Sequence, residues 1–301
     1  MRAVVFDRFG PPEVLRVAEV ADPVPGPGEV RVRVRAAGVQ PFDVGFRRGT
    51  MPRVTASFPQ QIGQEYSGVV DQLGPEVTGW APGAAVLGST MLNGCAELLV
   101  VAAGTVVPQP PELDFPAAAA LVAAAQTAAG ALEWLGVGPG DVLLIHAGAG
   151  SVGTVATQLA RRAGAVVIGT ASPANHDYLR ELGAIPVPYG EGLVEAVRAT
   201  GHRVTVALDA AGGAAVDQSI ALGVEPQRVG TIVDDAAAGR HGAPVVRAGR
   251  DPGRLAAVVA LAAKGELVMP VREFPFEQVA RAHATVESRH GRGKVVVTLG
   301  A

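Results

Sequence analysis

A glycine-rich loop between an apolar run and an amphipathic helix is the feature of this chain best suited to chemistry. Residues 142–145 form the apolar run, and residues 165–168 predict a second strand after the helix. The loop consists of Gly148, Ala149, Gly150, Ser151, Val152 and Gly153. A G-x-G-x-x-G sequence in this strand–loop–helix–strand context predicts a dinucleotide site, with the pyrophosphate on the free amides of a helix N-terminus.

Each of the three glycines has an expected role in such a site. Gly148 lets the chain turn sharply out of the strand, Gly150 lets the backbone approach a pyrophosphate, and Gly153 lets the helix pack closely on the strand. One alternative is a tight strand–helix turn without a ligand. Another is a hydrolase, because Ser151 stands in a near match to the G-x-S-x-G elbow that exposes a nucleophilic serine. The first glycine of that elbow is replaced here, so we favour the phosphate loop.

The end of the second predicted strand bears on the choice of cofactor. An NAD site usually has an acidic residue there to hold the ribose 2′-hydroxyl. Residues 169–172 (Gly-Thr-Ala-Ser) contain no carboxylate, and Ser172 and Asn175 can donate hydrogen bonds to a 2′-phosphate. His176 or Arg180 can supply positive charge, although both can equally be solvated on the following helix. The sequence therefore favours NADPH over NADH.

Composition excludes several classes of partner. The 301 residues, 49% of them hydrophobic, predict about two domains with a substantial core. A net charge of −3 without a basic stripe argues against nucleic acid, and the single cysteine, Cys95, excludes an internal disulfide. We find no signal-peptide pattern and no apolar run near the 18 residues needed to span a membrane. The expectation is a cytoplasmic enzyme acting on a small-molecule substrate.

The pattern of elements changes along the chain. Residues 1–107 read as short strands separated by turns, and the alternation over residues 30–35 predicts half-buried antiparallel strands. After residues 108–111 the chain becomes alanine-rich and then alternates strand and helix, which predicts a doubly wound parallel sheet. The predicted fold class is therefore α/β.

Seven motifs in order along the chain carry a family resemblance. They are residues 9–15 (FGPPEVL), 36–43 (AAGVQPFD), 62–68 (IGQEYSG), 93–97 (NGCAE), 148–153 (GAGSVG), 208–213 (LDAAGG) and 292–296 (RGKVV). They resemble the zinc-independent quinone oxidoreductase branch of the medium-chain dehydrogenase/reductases. The resemblance implies a GroES-like β-rich catalytic domain, a Rossmann domain with the doubly wound sheet, and an active cleft between them. It places the catalytic domain at residues 1–113 and 268–301, and the Rossmann domain at residues 114–267.

The same resemblance predicts the absence of zinc. Zinc alcohol dehydrogenases of this superfamily have a metal-binding cysteine where Gln40 stands and a metal-binding histidine where Gln64 stands. Glutamine is a poor zinc ligand, so a tetrahedral site is not expected. The implied reaction is direct hydride transfer to an acceptor that is already electrophilic, such as a quinone or an enone.

The resemblance also assigns site residues. Gln40, Asp43 and Gln64 map to the region that faces the nicotinamide, and Tyr66 can protonate a product. Asp43 can instead be a turn or helix cap, and Tyr66 can be cleft wall or core. The tyrosines common in this family are replaced by Gly45 and Met51, which predicts a more apolar, wider pocket and weakens the case for a simple quinone. Further predicted cofactor contacts are Thr127, Ala210, Val233 and Lys294.

The implied function is NADPH-dependent reduction of a quinone or an α,β-unsaturated carbonyl. Alternatives are a dedicated enoyl or enone reductase, or a redox-derived cyclase, of a biosynthetic pathway, and a non-catalytic NADPH-binding protein. In the resembled family the Rossmann sheet ends in an edge strand, for which residues 243–247 are the candidate. Pairing of this strand across a two-fold axis predicts a homodimer through the Rossmann domain, with Pro244 at the start of the strand or facing away from the partner.

Overall fold

The computed structural model describes residues 1–51 and 54–300. Contacts between residues divide the chain into two units, the first with residues 1–123 and those from Arg250 onward, the second with residues 124–249. The strands are β1 (Arg2–Phe6), β2 (Arg16–Glu19), β3 (Glu29–Val39), β4 (Gln60–Gln61), β5 (Glu65–Leu73), β6 (Ala85–Ser89), β7 (Leu98–Ala102), β8 (Val107–Pro108), β9 (Val142–His146), β10 (Val166–Thr170), β11 (Ile185–Val187), β12 (Val206–Asp209), β13 (Val229–Thr231), β14 (Val271–Pro275) and β15 (Lys294–Thr298). The α-helices of the described residues are α1 (Pro41–Arg48), α2 (Phe115–Leu135), α3 (Ser151–Arg162), α4 (His176–Glu181), α5 (Leu193–Ala199), α6 (Ala215–Ala221), α7 (Asp235–His241), α8 (Pro252–Ala263) and α9 (Val279–Glu287).

Strand β3 organises the sheets of the first unit. The larger sheet has the order β14-β15-β3-β5-β6-β8, with β7 also paired to β3, and the smaller sheet has the order β2-β1-β4. Along β3 the side chains of Val30, Val32 and Val34 are buried, and the arginines between them lie on the other face. Arg31 and Arg33 on that face pair with Asp71. The predicted half-buried antiparallel strands are thus present.

The second unit is built on a parallel sheet with the order β11-β10-β9-β12-β13. Strand β9 lies at its centre, with β10 on one side and β12 on the other. The strand order therefore reverses beside β9, and ligands of doubly wound sheets bind at the carboxyl ends of the strands at such a point. The predicted α/β fold with a doubly wound sheet is confirmed.

The borders of the two units differ from the predicted domain boundaries. Ala119 and Ala120, in the first half of α2, pack against Ala36 of β3 and Val296 of β15. Helix α8 contacts β8. Because these helices pack on the first sheet, the first unit by contacts includes residues 1–123 and those from Arg250 onward. The predicted domain boundaries at residues 113 and 268 stay a prediction.

Helix α2 corrects one expectation from the sequence. Its 21 residues, with a mean hydropathy of 1.5 over the best window, make it long and apolar enough to cross a membrane by those two criteria. From the sequence we expected no apolar run near 18 residues, whereas this alanine-rich helix has 21. In the structure 72% of that window is buried inside the protein, and the core helix of a folded protein meets the same criteria.

Residues 243–247 lie beside β13. Val245 forms a single parallel bridge with Thr231, and the Thr231 amide donates to the carbonyl of Pro244 at 3.1 Å. The Val246 amide donates back to the carbonyl of Thr231 at 2.8 Å. The candidate edge strand is therefore one bridge long and continues the sheet past β13.

Candidate functional site

The glycine loop joins the carboxyl end of β9 to the start of α3. The residue with a left-handed backbone is Ala147, with φ of 61°, so the turn out of the strand occurs one residue before the predicted Gly148. Thr170 of β10 holds this turn. Its hydroxyl accepts a hydrogen bond from the Ala147 amide at 3.0 Å, and its carbonyl accepts one from the Gly148 amide at 2.8 Å. Sequence reasoning missed Thr170, whose only signal was a hydroxyl at the end of the neighbouring strand.

The three glycines of the loop differ in what would surround a side chain. A Cβ at Gly153 would lie 2.5 Å from the Ala147 carbonyl oxygen and 2.6 Å from the Gly148 Cα, so only glycine fits there. A Cβ at Gly148 would lie 3.2 Å from the Cα of Gly169. At Gly150 the nearest atom is the Ala147 oxygen at 3.4 Å, an ordinary contact. The protein itself does not require a glycine at 150, which leaves the backbone there open to a ligand.

The start of α3 fits an anion. The amides of residues 151–153 begin the helix and have no acceptor within it, and its N-cap, Gly150, has no side chain to satisfy them. Ser151 and Val152 are half-buried, whereas Ala149 is buried. Unpaired amides at the positive end of a helix, beside an open glycine, are the groups that bind a pyrophosphate.

The hydrolase alternative finds no support in the hydrogen bonds near the loop. His146, the histidine closest to Ser151 in sequence, bonds the hydroxyl of Ser219 through Nε2 at 2.9 Å. Its ring is buried, and burial lowers its pKa to about 4, so it is neutral. His146 is therefore part of the interior of the second unit.

The residues predicted to meet a 2′-phosphate come together at the end of β10. Asn175 Nδ2 donates to Ser172 Oγ at 3.3 Å, and His176 Nε2 donates to a backbone carbonyl at 3.2 Å. All three side chains are half-buried. Arg180 is exposed and its guanidinium pairs with Asp177 at 2.5 Å on the same helix. The polar side chains gathered here are therefore those of Ser172, Asn175 and His176, which bond one another or the backbone.

Two further predicted contacts lie at the same edge of the sheet. Ala210 follows β12, and Val233 follows β13, where its side chain is 50% exposed. Both strands run parallel to β9, so these residues leave the sheet at the end where the glycine loop leaves it. Thr127 lies in α2 and is half-buried.

In the first unit the predicted catalytic amides contact each other. Gln40 Nε2 donates to Gln64 Oε1 at 2.9 Å, and Gln64 Nε2 is 3.5 Å from Sδ of Met91. Gln40 is the N-cap of α1 and forms a capping box with Asp43, whose Oδ2 accepts the Gln40 amide at 3.0 Å. Asp43 is 1% exposed, and burial raises its pKa to about 7. The geometry of Asp43 is that of the helix cap.

A buried ion pair lies beside these amides. Glu65 is completely buried, and its Oε2 accepts a hydrogen bond from the Ala123 amide in α2 at 2.7 Å. The ammonium of Lys294, 3% exposed, pairs with Oε1 of Glu65. The charge of Lys294 is thus engaged inside the first unit, and its predicted contact with the cofactor stays a prediction.

Tyr66 also departs from its predicted role. Its side chain is completely buried in the hydrophobic core of the first unit, with Val34, Val86 and Leu99 in the same cluster. Its hydroxyl has no hydrogen-bond partner among the described residues, and burial raises its pKa. A phenol that holds its proton within the core cannot reach a substrate, so Tyr66 is core rather than proton donor.

The donor groups do not fit a zinc ion. Gln40 and Gln64 bond each other, and burial raises the pKa of the Cys95 thiol, which keeps it protonated. Across residues 1–51 and 54–300, no group of three or more histidine, cysteine, aspartate or glutamate side chains is placed to hold a metal. Tetrahedral zinc sites need thiolate, imidazole or carboxylate ligands, and none converge here.

Two family models match the chain, the alcohol dehydrogenase GroES-like domain over residues 26–110 and the zinc-binding dehydrogenase over residues 182–297. Over 167 residues the chain is 44% identical to the spectinabilin polyketide synthase system protein NorB of Streptomyces orinoci, which covers 55% of this chain and 7% of that protein. Over 174 residues it is 37% identical to the quinone oxidoreductase of Sus scrofa, and this match covers 57% of this chain and 53% of that protein. A solved NAD-dependent alcohol dehydrogenase matches with 30% identity and a TM-score of 0.88, covering 100% of both chains.

A GroES-like unit joined to a parallel sheet with a glycine loop defines the dehydrogenase and reductase class of proteins. The chain belongs to the medium-chain dehydrogenase/reductase family. The predicted GroES-like and Rossmann fold class is thereby confirmed. The match to the Sus scrofa protein spans about half the length of that relative.

Proposed function

We propose that this chain is an NADPH-dependent reductase whose acceptor is a quinone or an α,β-unsaturated carbonyl. The observation that carries the proposal is the loop at the start of α3, where unpaired amides adjoin a glycine that packing alone does not require. The names of the relatives, a quinone oxidoreductase and an alcohol dehydrogenase, support an oxidoreductase.

The end of β10 supports NADPH as the preferred cofactor. Ser172, Asn175 and His176 offer hydroxyl, amide and imidazole groups and no carboxylate. A carboxylate at this point would hold a ribose 2′-hydroxyl and repel a 2′-phosphate. Ser172→Asp should therefore weaken NADPH binding much more than NADH binding, with Ser172→Ala as the uncharged control. Equal losses for the two nucleotides would show that Ser172 does not face the phosphate.

The bound nicotinamide would supply a hydride to an acceptor that needs no metal activation. The chain's own contribution is to bind and orient the acceptor and to polarise its carbonyl. Gln40 uses one Nε2 hydrogen on Gln64, which leaves the second free, and Gln64 donates only weakly to the sulfur of Met91. These amide hydrogens can donate to a carbonyl oxygen as negative charge develops on it. Gln64→Leu should lower kcat while leaving the Kd for NADPH unchanged.

A dedicated enone or enoyl reductase of a biosynthetic pathway is the second candidate. It is favoured by the apolar contact at α1, where a Cβ on Gly45 would lie 2.6 Å from Cε of Met51. This methionine covers the helix at the place where the family commonly has tyrosines. The 44% identity to a polyketide synthase protein over about half the chain also supports it. A redox-derived cyclase would take the same class of substrate.

The test is NADPH oxidation with a panel of acceptors: simple quinones, small enones and enoyl thioesters. Transfer of deuterium from one face of 4-deuterated NADPH to the product would establish direct hydride transfer. Higher kcat/KM for enoyl thioesters than for quinones would select the biosynthetic reductase. NADPH binding without turnover of any acceptor would instead favour a non-catalytic nucleotide-binding protein, and absence of binding would contradict the proposal.

Assembly as a homodimer through the second unit is part of the same proposal. Residues 243–247 continue the parallel sheet past β13 by one bridge, and pairing with a second copy would satisfy the outer edge of this segment. Sedimentation should give a dimer at micromolar concentration. Replacing Val245 by lysine should shift it to a monomer, and a wild-type monomer at that concentration would reject this assembly.

A further inference from the structure

One buried carboxylate reaches both loops that follow β12 and β13. Asp209 is completely buried, and its Oδ1 accepts hydrogen bonds from the amides of Ala211 and Gly212, each at 2.8 Å. Its Oδ2 accepts the hydroxyl hydrogen of Thr231 at 2.7 Å. The carboxylate thus fixes the loop after its own strand and the side chain that ends the next strand.

Thr231 extends this network into the second loop. It is completely buried, and its Oγ1 accepts hydrogen bonds from the amides of Val233 at 3.1 Å and Asp234 at 3.0 Å. The hydroxyl therefore donates one bond and accepts two, which uses its full capacity. The Ile232 amide adds a bond to the backbone carbonyl of Asp209 at 3.0 Å.

The same region contains a serine, a histidine and an aspartate, but these do not form a hydrolytic triad. Asp209 is the register neighbour of His146, which bonds Ser219. The oxygens of Asp209 accept from the loop amides and from Thr231, and the Ser219 hydroxyl donates to the carbonyl of Ala215 at 2.8 Å. Ser219 is also completely buried, so no substrate can reach it.

We propose that Asp209 and Thr231 are positioning residues that hold these two loops in the conformation that receives the nicotinamide half of the cofactor. The inference rests on the proposed function. The strands themselves are already paired in register, and apart from the bond between Asp209 and Thr231 the side-chain bonds of the network go to loop amides. The loops expose the side chain of Val233 and leave Ala210 half-exposed at the carboxyl edge where dinucleotides bind. Fixing them in advance lowers the cost of ordering on binding.

Three threonine variants test the proposal. Thr231→Val removes the hydroxyl with little change in shape and leaves the amides of Val233 and Asp234 without their acceptor. Thr231→Ser keeps the hydroxyl and should behave like the wild type. Thr157→Val is the matched control, because Thr157 is also completely buried and its hydroxyl has no hydrogen-bond partner among the described residues.

The readout separates positioning from folding. Thr231→Val should lower kcat/KM for NADPH by about tenfold or more, since small displacements of a reacting group are costly. Its affinity for 2′,5′-ADP, which lacks the nicotinamide half, should stay at the wild-type value, and Thr157→Val should change neither quantity. If Thr231→Val does not fold, Asp209→Asn provides the second variant, because its Oδ1 still accepts the loop amides while its amide group alters the bond to Thr231.

The outcomes that contradict the proposal are distinct. Unchanged NADPH kinetics in Thr231→Val and Asp209→Asn would overturn the positioning role alone. Equal weakening of NADPH and 2′,5′-ADP would overturn it as well, because the network would then support the unit as a whole. A wild-type protein that binds neither nucleotide would overturn the proposed function together with this inference.

Discussion

The ion pair between Glu65 and Lys294 gives a stability prediction that the structure makes quantitative. Lys294→Met leaves a completely buried carboxylate whose remaining bond comes from the Ala123 amide. Glu65→Gln keeps an acceptor for that amide and leaves a buried ammonium without its partner. Removing one member of a buried pair typically costs about 3–5 kcal/mol, so each single variant should lose that much free energy of unfolding. The double variant has no unpaired charge and should lose only about 1–3 kcal/mol, the cost of an unsatisfied amide.

The assay is chemical denaturation of the wild type, the two single variants and the double variant, followed by circular dichroism. The coupling energy of the resulting cycle isolates the pair. Arg16→Met, which breaks the exposed bidentate pair with Asp7, is the control and should cost far less than either buried substitution. A double variant as unstable as the sum of the single variants would refute the reasoning, as would a single variant no less stable than the control.

Three further predictions test the site. Gly150→Val should abolish NADPH binding, as measured by calorimetry, and undiminished affinity would reject the loop assignment. Its melting temperature should stay near the wild-type value, because the nearest atom to a Cβ there is the Ala147 oxygen at 3.4 Å. The folded chain binds the Asp43 proton more tightly than the unfolded chain, so stability should fall by up to about 1.4 kcal/mol per pH unit as pH rises from 3.8 to about 7. Asp43→Asn should flatten that slope in denaturation series, and parallel slopes would contradict the argument. Purified protein should contain no stoichiometric zinc and keep its activity in chelator, since Gln40 and Gln64 bond each other; one zinc per chain by elemental analysis would overturn this.

The parts of the fold that the sequence predicts well depend on residues close together in the chain. The glycine loop, its flanking strand and its helix lie within residues 142–162, and the spacing of apolar residues and glycines is sufficient to predict them. Ser172, Asn175 and His176 meet for the same reason, because a short turn at the end of β10 gathers them. The parallel sheet follows from the alternation of such local units.

The contacts that the sequence does not predict depend on strand register. Glu65 and Tyr66 are successive residues of β5, so their side chains point to opposite faces of the sheet. Tyr66 enters the hydrophobic core, whereas Glu65 meets α2 and Lys294. Both faces of β5 are covered at this point, so both residues are buried. The alternation of apolar and polar residues in the sequence therefore does not show which of the two faces the core. Lys294 reaches Glu65 only because β15 and β5 both pair with β3.

The conformation of the turn after β9 also depends on contacts between strands. The sequence assigns the sharp turn after β9 to Gly148, yet the structure gives the left-handed conformation to Ala147. At Gly148 a side chain would instead make a tight contact with Gly169 on the neighbouring strand, 3.2 Å from its Cα. Both positions are explained by packing of the loop against β10, which is a contact between strands rather than a property of the loop sequence.

Where a polar side chain lies in its element decides what it is free to do. Gln40 at the N-cap of α1 and Ser172 at the end of β10 lie where a strand ends and a helix begins, so their polar groups remain partly uncommitted. Glu65, Asp209 and Thr231 lie at the first or last residue of strands, completely buried, with their polar atoms engaged by the protein itself. Substitutions of the first kind should therefore change ligand affinity with little loss of stability. Substitutions of the second kind should act on stability, or on ligands only through the loops that these residues hold.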